Sequence, residues 1–200
     1  MMAGRPREFD RELALEKARD AFWERGYEGV AMSDLVAALG IASARIYAAF
    51  GSKEQLFREA IELYVAGEGG FATRALEQEA TARGAIARML REAVLLYTRS
   101  GRPHGCMVVT AATNCSSQND AVIVWLGEFR RARTKSIVER LRLALKAGEL
   151  KAGTDVVALG DVYATLLHGL SVQARDGVGK ARLLAMIAPA MAALELAGQC

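Results

Sequence analysis

Two hundred residues with 52% hydrophobic content suffice for one large globular domain or two small ones, each with a core. The 26 basic and 23 acidic residues leave a formal net charge of +3, too little to mark a polyanion partner by itself, and the three cysteines, Cys106, Cys115 and Cys200, have neither the spacing of a zinc ribbon nor the even count of a disulfide framework. The longest apolar run, 183–194, is too short to span a membrane and holds Pro189, so a soluble cytoplasmic chain with reduced thiols is expected, with no membrane partner, metal or cofactor.

Abundant Ala, Leu, Glu and Arg with few prolines predict an all-α fold. Asp10 caps a first helix whose Leu15, Ala18, Ala21 and Phe22 share one side, and Gly26 ends it. A second helix covers about 32–38, with Met32, Leu35, Val36 and Leu39 as its apolar members and Gly40 as its terminator. A third covers 43–50 and closes at Gly51. Ser52 and Gln55 form a capping box that opens a fourth: the serine accepts from the amide three residues on and the glutamine returns the bond. The glycine-rich AGEGG at 66–70 interrupts the pattern and marks a transition between domains. Further helices are predicted over about 71–81, 84–99, 105–114, 119–147, 155–175 and 179–197.

Residues 1–58 hold nine basic and nine acidic groups, yet no acid lies in 1–7 or between Asp34 and Glu54. Both stretches carry arginine or lysine, so any anion site is local. At about 100° per residue, Ile46 and Phe50 face inward toward Leu35, Leu39 and Ile41. The opposite face presents Ala44 and Ala48, flanked by Arg45 and Tyr47. Small side chains at the centre of that face suit apposition to a flat or grooved surface. A short helix set across another through a glycine turn is the helix-turn-helix arrangement. In that frame Arg45 donates twice to guanine, Ala44 or Ala48 meets a thymine methyl, and Tyr47 and Lys53 face phosphates beside the free amides that open the fourth helix. Periodicity alone describes a plain helical hairpin with a solvated arginine equally well.

In the segment GYEGVAMSDLVAALGIASARIYAAFGSKEQLF, Gly26 and Tyr27 stand at the end of the first helix, and Leu35 and Gly40 in the second helix and turn. Ile46, Tyr47, Phe50, Ser52, Lys53 and Leu56 follow the pattern Leu-Tyr-x-x-Phe-x-Ser-Lys-x-x-Leu. The segment resembles the DNA-binding domain of the tetracycline-repressor (TetR) family of bacterial regulators, over about residues 10–58. The resemblance implies a three-helix DNA-binding domain over 1–58 and a helical effector-binding and dimerisation domain over 59–200. It implies a homodimer that binds a palindromic double-stranded operator, usually represses, and leaves DNA when a small molecule occupies the second domain. Ala31 and Ala42 depart from the family's Ser or Thr, and losing such a cap typically costs about 1 kcal/mol. Ser33 and Ser43 are the candidate replacements and join the candidate DNA-binding set. Ala48 and Ala49 replace bulkier or polar residues of the family, which leaves more of the discrimination to Arg45. The opening MMAGRPREFD sets Arg5 and Arg7 on a flexible, then extended arm suited to an A·T-rich minor groove, or equally to no partner.

In the second half, Ala158, Leu159, Val162, Leu166 and Leu170 form one broad apolar face, and Leu183, Leu184, Ile187, Met191 and Leu194 another. Such faces suit a four-helix interface between protomers or an intrachain core. Tyr97, Met107, Trp125, Phe129, Tyr163, His168 and Met186 are candidates for lining a cavity, and the scarcity of polar groups points to an apolar or aromatic effector. In RPHGCMVVTAATNC, Cys106 follows His104 and Gly105 at a helix start, a setting that favours thiolate and suggests a redox or electrophile sensor. A competing enzymatic reading makes Cys106 a nucleophile and His104 its base, with no acid to orient the histidine. The basic run FRRARTKSIVERLR is expected on a solvated face.

Overall fold

The computed structural model describes residues 10–112 and 115–198. Helix α1 (Arg11–Arg25) opens with the Asp10 carboxylate accepting from the Leu13 amide at 3.0 Å and closes at Gly26, whose φ of 75° suits glycine. Its buried stripe is Ala14, Ala18, Phe22 and Trp23, with Leu15 and Ala21 only half-buried, so the face is turned slightly from the expected one. Helices α2 (Met32–Leu39) and α3 (Ser43–Phe50) cross at 92° through Gly40, which adopts the left-handed conformation.

The caps differ from expectation. The residues at the N-cap positions are Ala31 and Ala42 themselves, and Ser33 and Ser43 cap nothing. Asp34 compensates in α2, its carboxylate accepting from the Ala31 amide at 2.7 Å. Helix α4 (Lys53–Ala66) starts with Ser52 Oγ accepting from the Gln55 amide at 3.0 Å, as expected, but the returning bond is absent because the Ser52 amide donates to the Phe50 carbonyl at 2.9 Å. The expected boundary at 58 falls inside α4, which runs unbroken to Ala66.

A buried 3₁₀ turn at Glu68–Gly70 leads into α5 (Phe71–Gln78) and α6 (Ala82–Tyr97). Where a helix over 105–114 was expected there is only the single turn α7 (Met107–Thr110), and residues 113 and 114 lie outside the described residues. Gly105 at φ 78° cannot join a helix, and the β-branched run Val108-Val109-Thr110 propagates one weakly. Helices α8 (Asp120–Lys146) and α9 (Val156–Arg175) match their predicted spans. The last predicted helix splits at Met186 into α10 (Lys180–Ala185) and α11 (Ile187–Ala197), because Pro189 has no amide proton and its ring collides with the carbonyl four residues back.

Two cores result. The first joins α1–α4 to Met107, Val108, Ala111, Ala112, Val122 and Leu126, so residues from the second half complete the N-terminal unit. The second packs α5, α6, α8, α9, α10 and α11. Helix α9 has the length and apolarity of a membrane span, but it packs against α6 and α8 in that second core. Of the faces expected at a protomer interface, Leu170, Leu183, Met191 and Leu194 are buried within the chain, while Ala158 and Val162 are exposed.

Candidate functional site

The orientation of α3 follows from its inward residues. Ile46 and Phe50 are buried, and the Arg11 guanidinium lies 4.5 Å from the centre of the Phe50 ring. Arg11 also donates to the Ala49 carbonyl at 3.3 Å and to Glu59 at 2.8 Å, tying α1, α3 and α4 together. This holds Ser43, Ala44, Arg45, Tyr47 and Ala48 outward, with Tyr47 48% exposed, and Ser33 is exposed on α2. Arg45 has no carboxylate partner among the described residues, so its guanidinium is available to a ligand. Lys53 is half-buried, its ammonium 4.5 Å above the Tyr27 ring. Burial pushes its pKa down, against the opposing pull of Glu28 and Asp34. Arg5 and Arg7 lie outside the described residues.

A cavity of about 50 Å³ lies among α4, α5, α6, α7, α8 and α9. A water needs roughly 10–15 Å³ on the same measure, so the space suits a molecule of a few heavy atoms. Val65, Phe71, Ala72, Val109, Phe129 and Leu167 give an apolar wall, and Tyr64, Tyr97, Cys106, Arg130, Arg133 and His168 supply polar groups. The Tyr64 hydroxyl donates to Cys106 Sγ at 3.5 Å. Burial is the main cause that pushes both phenols well above their ordinary range, and the Cys106 sulfur adds to it. Burial, then Arg130, pushes the His168 pKa down and favours its neutral form.

Of the seven residues expected at a cavity, Tyr97, Phe129 and His168 line it. Met107 is buried in the first core, and Trp125 is half-buried under the Arg58 guanidinium at 4.6 Å. Tyr163 is buried in the second core and donates to the Ala190 carbonyl at 3.1 Å, and Met186 is 40% exposed. Cys106 is on the wall, but His104 is exposed, outside the cavity and not hydrogen-bonded to it. The fully solvated face expected for 129–142 is corrected: Arg130, Arg133 and Arg140 are half-buried. The signal was in the spacing, since Leu126, Arg130, Arg133, Ile137, Leu141 and Ala144 repeat at helical intervals of three or four and form one inward stripe.

The cavity wall is bonded to the helix-turn-helix unit. Trp23 Nε1 donates to the Gly105 carbonyl at 3.1 Å, and the Tyr27 amide donates to Ala111 at 2.7 Å, gripping α7 at both ends. On its other side, the Cys106 amide donates to Ser171 Oγ of α9 at 2.7 Å. Arg175 of α9 donates to the Trp23 and Glu24 carbonyls at 3.2 and 2.5 Å. Glu28 accepts from Ser116 and Asn119, and those bonds hold its carboxyl below the usual range.

The description "Bacterial regulatory proteins, tetR family" matches residues 14–60, from α1 into α4. The whole chain is similar to the TetR family transcriptional regulator CifR, solved in a cysteine-substituted form with a 26-base-pair double-stranded operator. The two are 43% identical with a TM-score of 0.90, covering 95% of this chain and 99% of that one. This chain belongs to the TetR family. It is also 29% identical to the transcriptional repressor ComR of Escherichia coli K12, over 90% of this chain and 87% of ComR, and 28% identical to the repressor BdcR of the same organism, over 96% and 92%. As a TetR-family transcriptional regulator it is not an enzyme, and the nucleophilic reading of Cys106 with His104 falls with the assignment.

Proposed function

We propose that this TetR-family regulator binds a palindromic double-stranded DNA operator as a homodimer, represses from it, and leaves it when a small molecule occupies the cavity behind α7. The observation that carries the reading is the division of α3: Ile46 and Phe50 are buried, and Arg45, Tyr47, Ala44 and Ala48 are held outward. Arg45 reads a base edge, the alanines allow close approach, and Tyr47 and Lys53 meet phosphates, with Ser33 and Ser43 beside them. The 26-base-pair operator bound by CifR supports double-stranded DNA as the partner. Dimerisation is supported by an exposed row on α9, Ala158, Val162, Thr165, Gly169 and Val172, spaced at intervals of three and four. Release is supported by α7, because one short segment both walls the cavity and receives hydrogen bonds from Trp23 and Tyr27.

Selection of bound fragments from random DNA, followed by fluorescence anisotropy and sedimentation, tests the reading. A palindromic motif retained by a dimer is expected, with affinity that falls as salt rises. No retained motif, or binding by a solitary chain, refutes it.

A thiol-responsive mode has one specific observation in its favour: Cys106 Sγ lies on the cavity wall and accepts from Tyr64. Addition of that thiol across the double bond of N-ethylmaleimide, in a Cys115→Ser, Cys200→Ser background, is expected to release operator, and Cys106→Ser is expected to be insensitive. Labelled protein that keeps its full operator affinity refutes control through the cavity.

A further inference from the structure

The charges around the cavity do not balance. Arg133 Nη1 donates to Thr73 Oγ1 at 2.9 Å and Arg130 Nη1 donates to the Val108 carbonyl at 2.9 Å, both neutral acceptors. Other half-buried arginines find carboxylates: Arg88 pairs with Glu79 and Glu92 at 3.1 and 2.6 Å, and Arg102 with Asp20 at 2.7 Å. Among the described residues no acid lines the cavity, and Glu77 acts on Arg133 from outside it. Tyr64 and Tyr97 are buried phenols, and the bond that Tyr64 donates is a long one to a sulfur acceptor, which is weak. A guanidinium withdrawn from water without an anion is costly, and its planar fork matches a carboxylate. The lining residues Phe71, Val109, Phe129 and Leu167 are apolar.

We propose that the cavity takes a small carboxylate with a short apolar tail, its head held by Arg130 and Arg133 with the Tyr64 and Tyr97 hydroxyls, and its tail against Phe129 and Leu167. The proposal rests on the reading of this cavity as the effector site. It refines the expected apolar or aromatic ligand by adding a charged end.

The test uses the full chain and three acids, acetate, propionate and butyrate, each beside its neutral amide, followed by isothermal titration and thermal unfolding. At least one acid is expected to bind about tenfold or more tighter than its amide, and Arg133→Met and Arg130→Met are expected to bring the two to parity. Without ligand, Arg133→Met is expected to raise Tm by about 2–4 °C, because an uncompensated charge is removed. Equal affinity for acid and amide, no binding of any of the three acids, a preference that survives in both variants, or a lowered Tm in ligand-free Arg133→Met overturns the proposal. The underlying reading is tested separately. An acid that binds but leaves operator affinity unchanged sinks the cavity as a switch and not its ligand class. Release by N-ethylmaleimide at Cys106 without any preference for acids does the reverse.

Discussion

The first core is held by directional contacts and the second mostly by shape. In the first, Trp23 meets Tyr64 edge-on at 4.8 Å, and a series of rings runs from Tyr27 to Phe57 at 5.0 Å, to Trp125 at 6.4 Å and to Phe129 at 4.9 Å. Both routes start on or beside α1 and end at residues that line the cavity, Tyr64 and Phe129. The second core is largely aliphatic, with Ile86, Leu90, Val94, Ile137, Leu141 and Leu167 among its members. Aliphatic packing is non-directional and tolerates small shifts, whereas edge-to-face rings and buried hydrogen bonds have narrow optima. The difference teaches where the proposed signal would travel: a ligand that displaces the cavity wall meets rings and hydrogen bonds toward α1 and, apart from the Cys106–Ser171 bond to α9 and the Phe71–Tyr97 ring pair, aliphatic contacts toward α5, α6 and α9.

The strongest test of that contrast is Trp23→Ala, which removes a buried indole, its edge-on contact with Tyr64 and the donor to Gly105. A loss of about 3–5 kcal/mol in denaturant unfolding is expected, together with loss of operator response to cavity labelling. Leu90→Ala in the second core is expected to cost about 2–5 kcal/mol and to leave that response in place. Equal loss of response in both variants breaks the comparison.

On the exposed face of α3, Arg45→Ala is expected to lower operator affinity by about 1–3 kcal/mol and to relax preference at one base position. Lys53→Ala is expected to weaken all sequences alike and to reduce the salt slope. Equal loss on every sequence in both variants sinks that division of roles. Gly105→Ala probes the joint between the regions, since its φ is 78° and an added Cβ would stand 2.8 Å from the Ser171 carbonyl. A cost of at least about 1–2 kcal/mol is expected from the backbone conformation, measured by thermal unfolding.

Capping is the control that should not distinguish the regions. Ser52→Ala in the first and Thr81→Ala in the second each remove a side-chain acceptor, and each is expected to cost about 1 kcal/mol. The smallest effect concerns acid. Glu28 and Asp34 have folded pKa values below their ordinary ones, from their hydrogen bonds first. Their contribution is therefore complete above the unfolded carboxylate range and is lost as pH falls through the lower folded values. A stability profile in acid that is shallower for Glu28→Gln than for the parent chain is the expected result, and identical profiles count against it.

Much of the first region was legible because its information is local. Asp10, Gly26, Gly40, Gly51 and Ser52 punctuate the helices in sequence, and the spacing of Ile46 and Phe50 gave the buried side of α3 and hence its exposed side. The alanine N-caps were harder, because Asp34 compensates from within the helix and no serine shift was needed. The cavity was only partly legible. Tyr97, Phe129 and His168 were found as aromatic or polar residues on predicted helices, but Tyr64 was not, because it sits on the fourth helix, which straddles the expected boundary at 58. Arg130 and Arg133 were discounted because a basic run usually faces solvent, although their spacing placed them on the inward stripe.

By itself the sequence determined the all-helical class, the helix-turn-helix, the family and the exposed face of α3, since each depends on residues within a few turns of one another. Tertiary structure alone decided that Met107, Val108, Ala111, Ala112, Val122 and Leu126 would complete the N-terminal core, that α7 would be gripped by α1, and that two arginines would meet two tyrosines and a cysteine around one cavity. Those groups come from helices far apart in the chain. No local periodicity records which buried stripes will face each other, and that choice is made by the packing of whole helices.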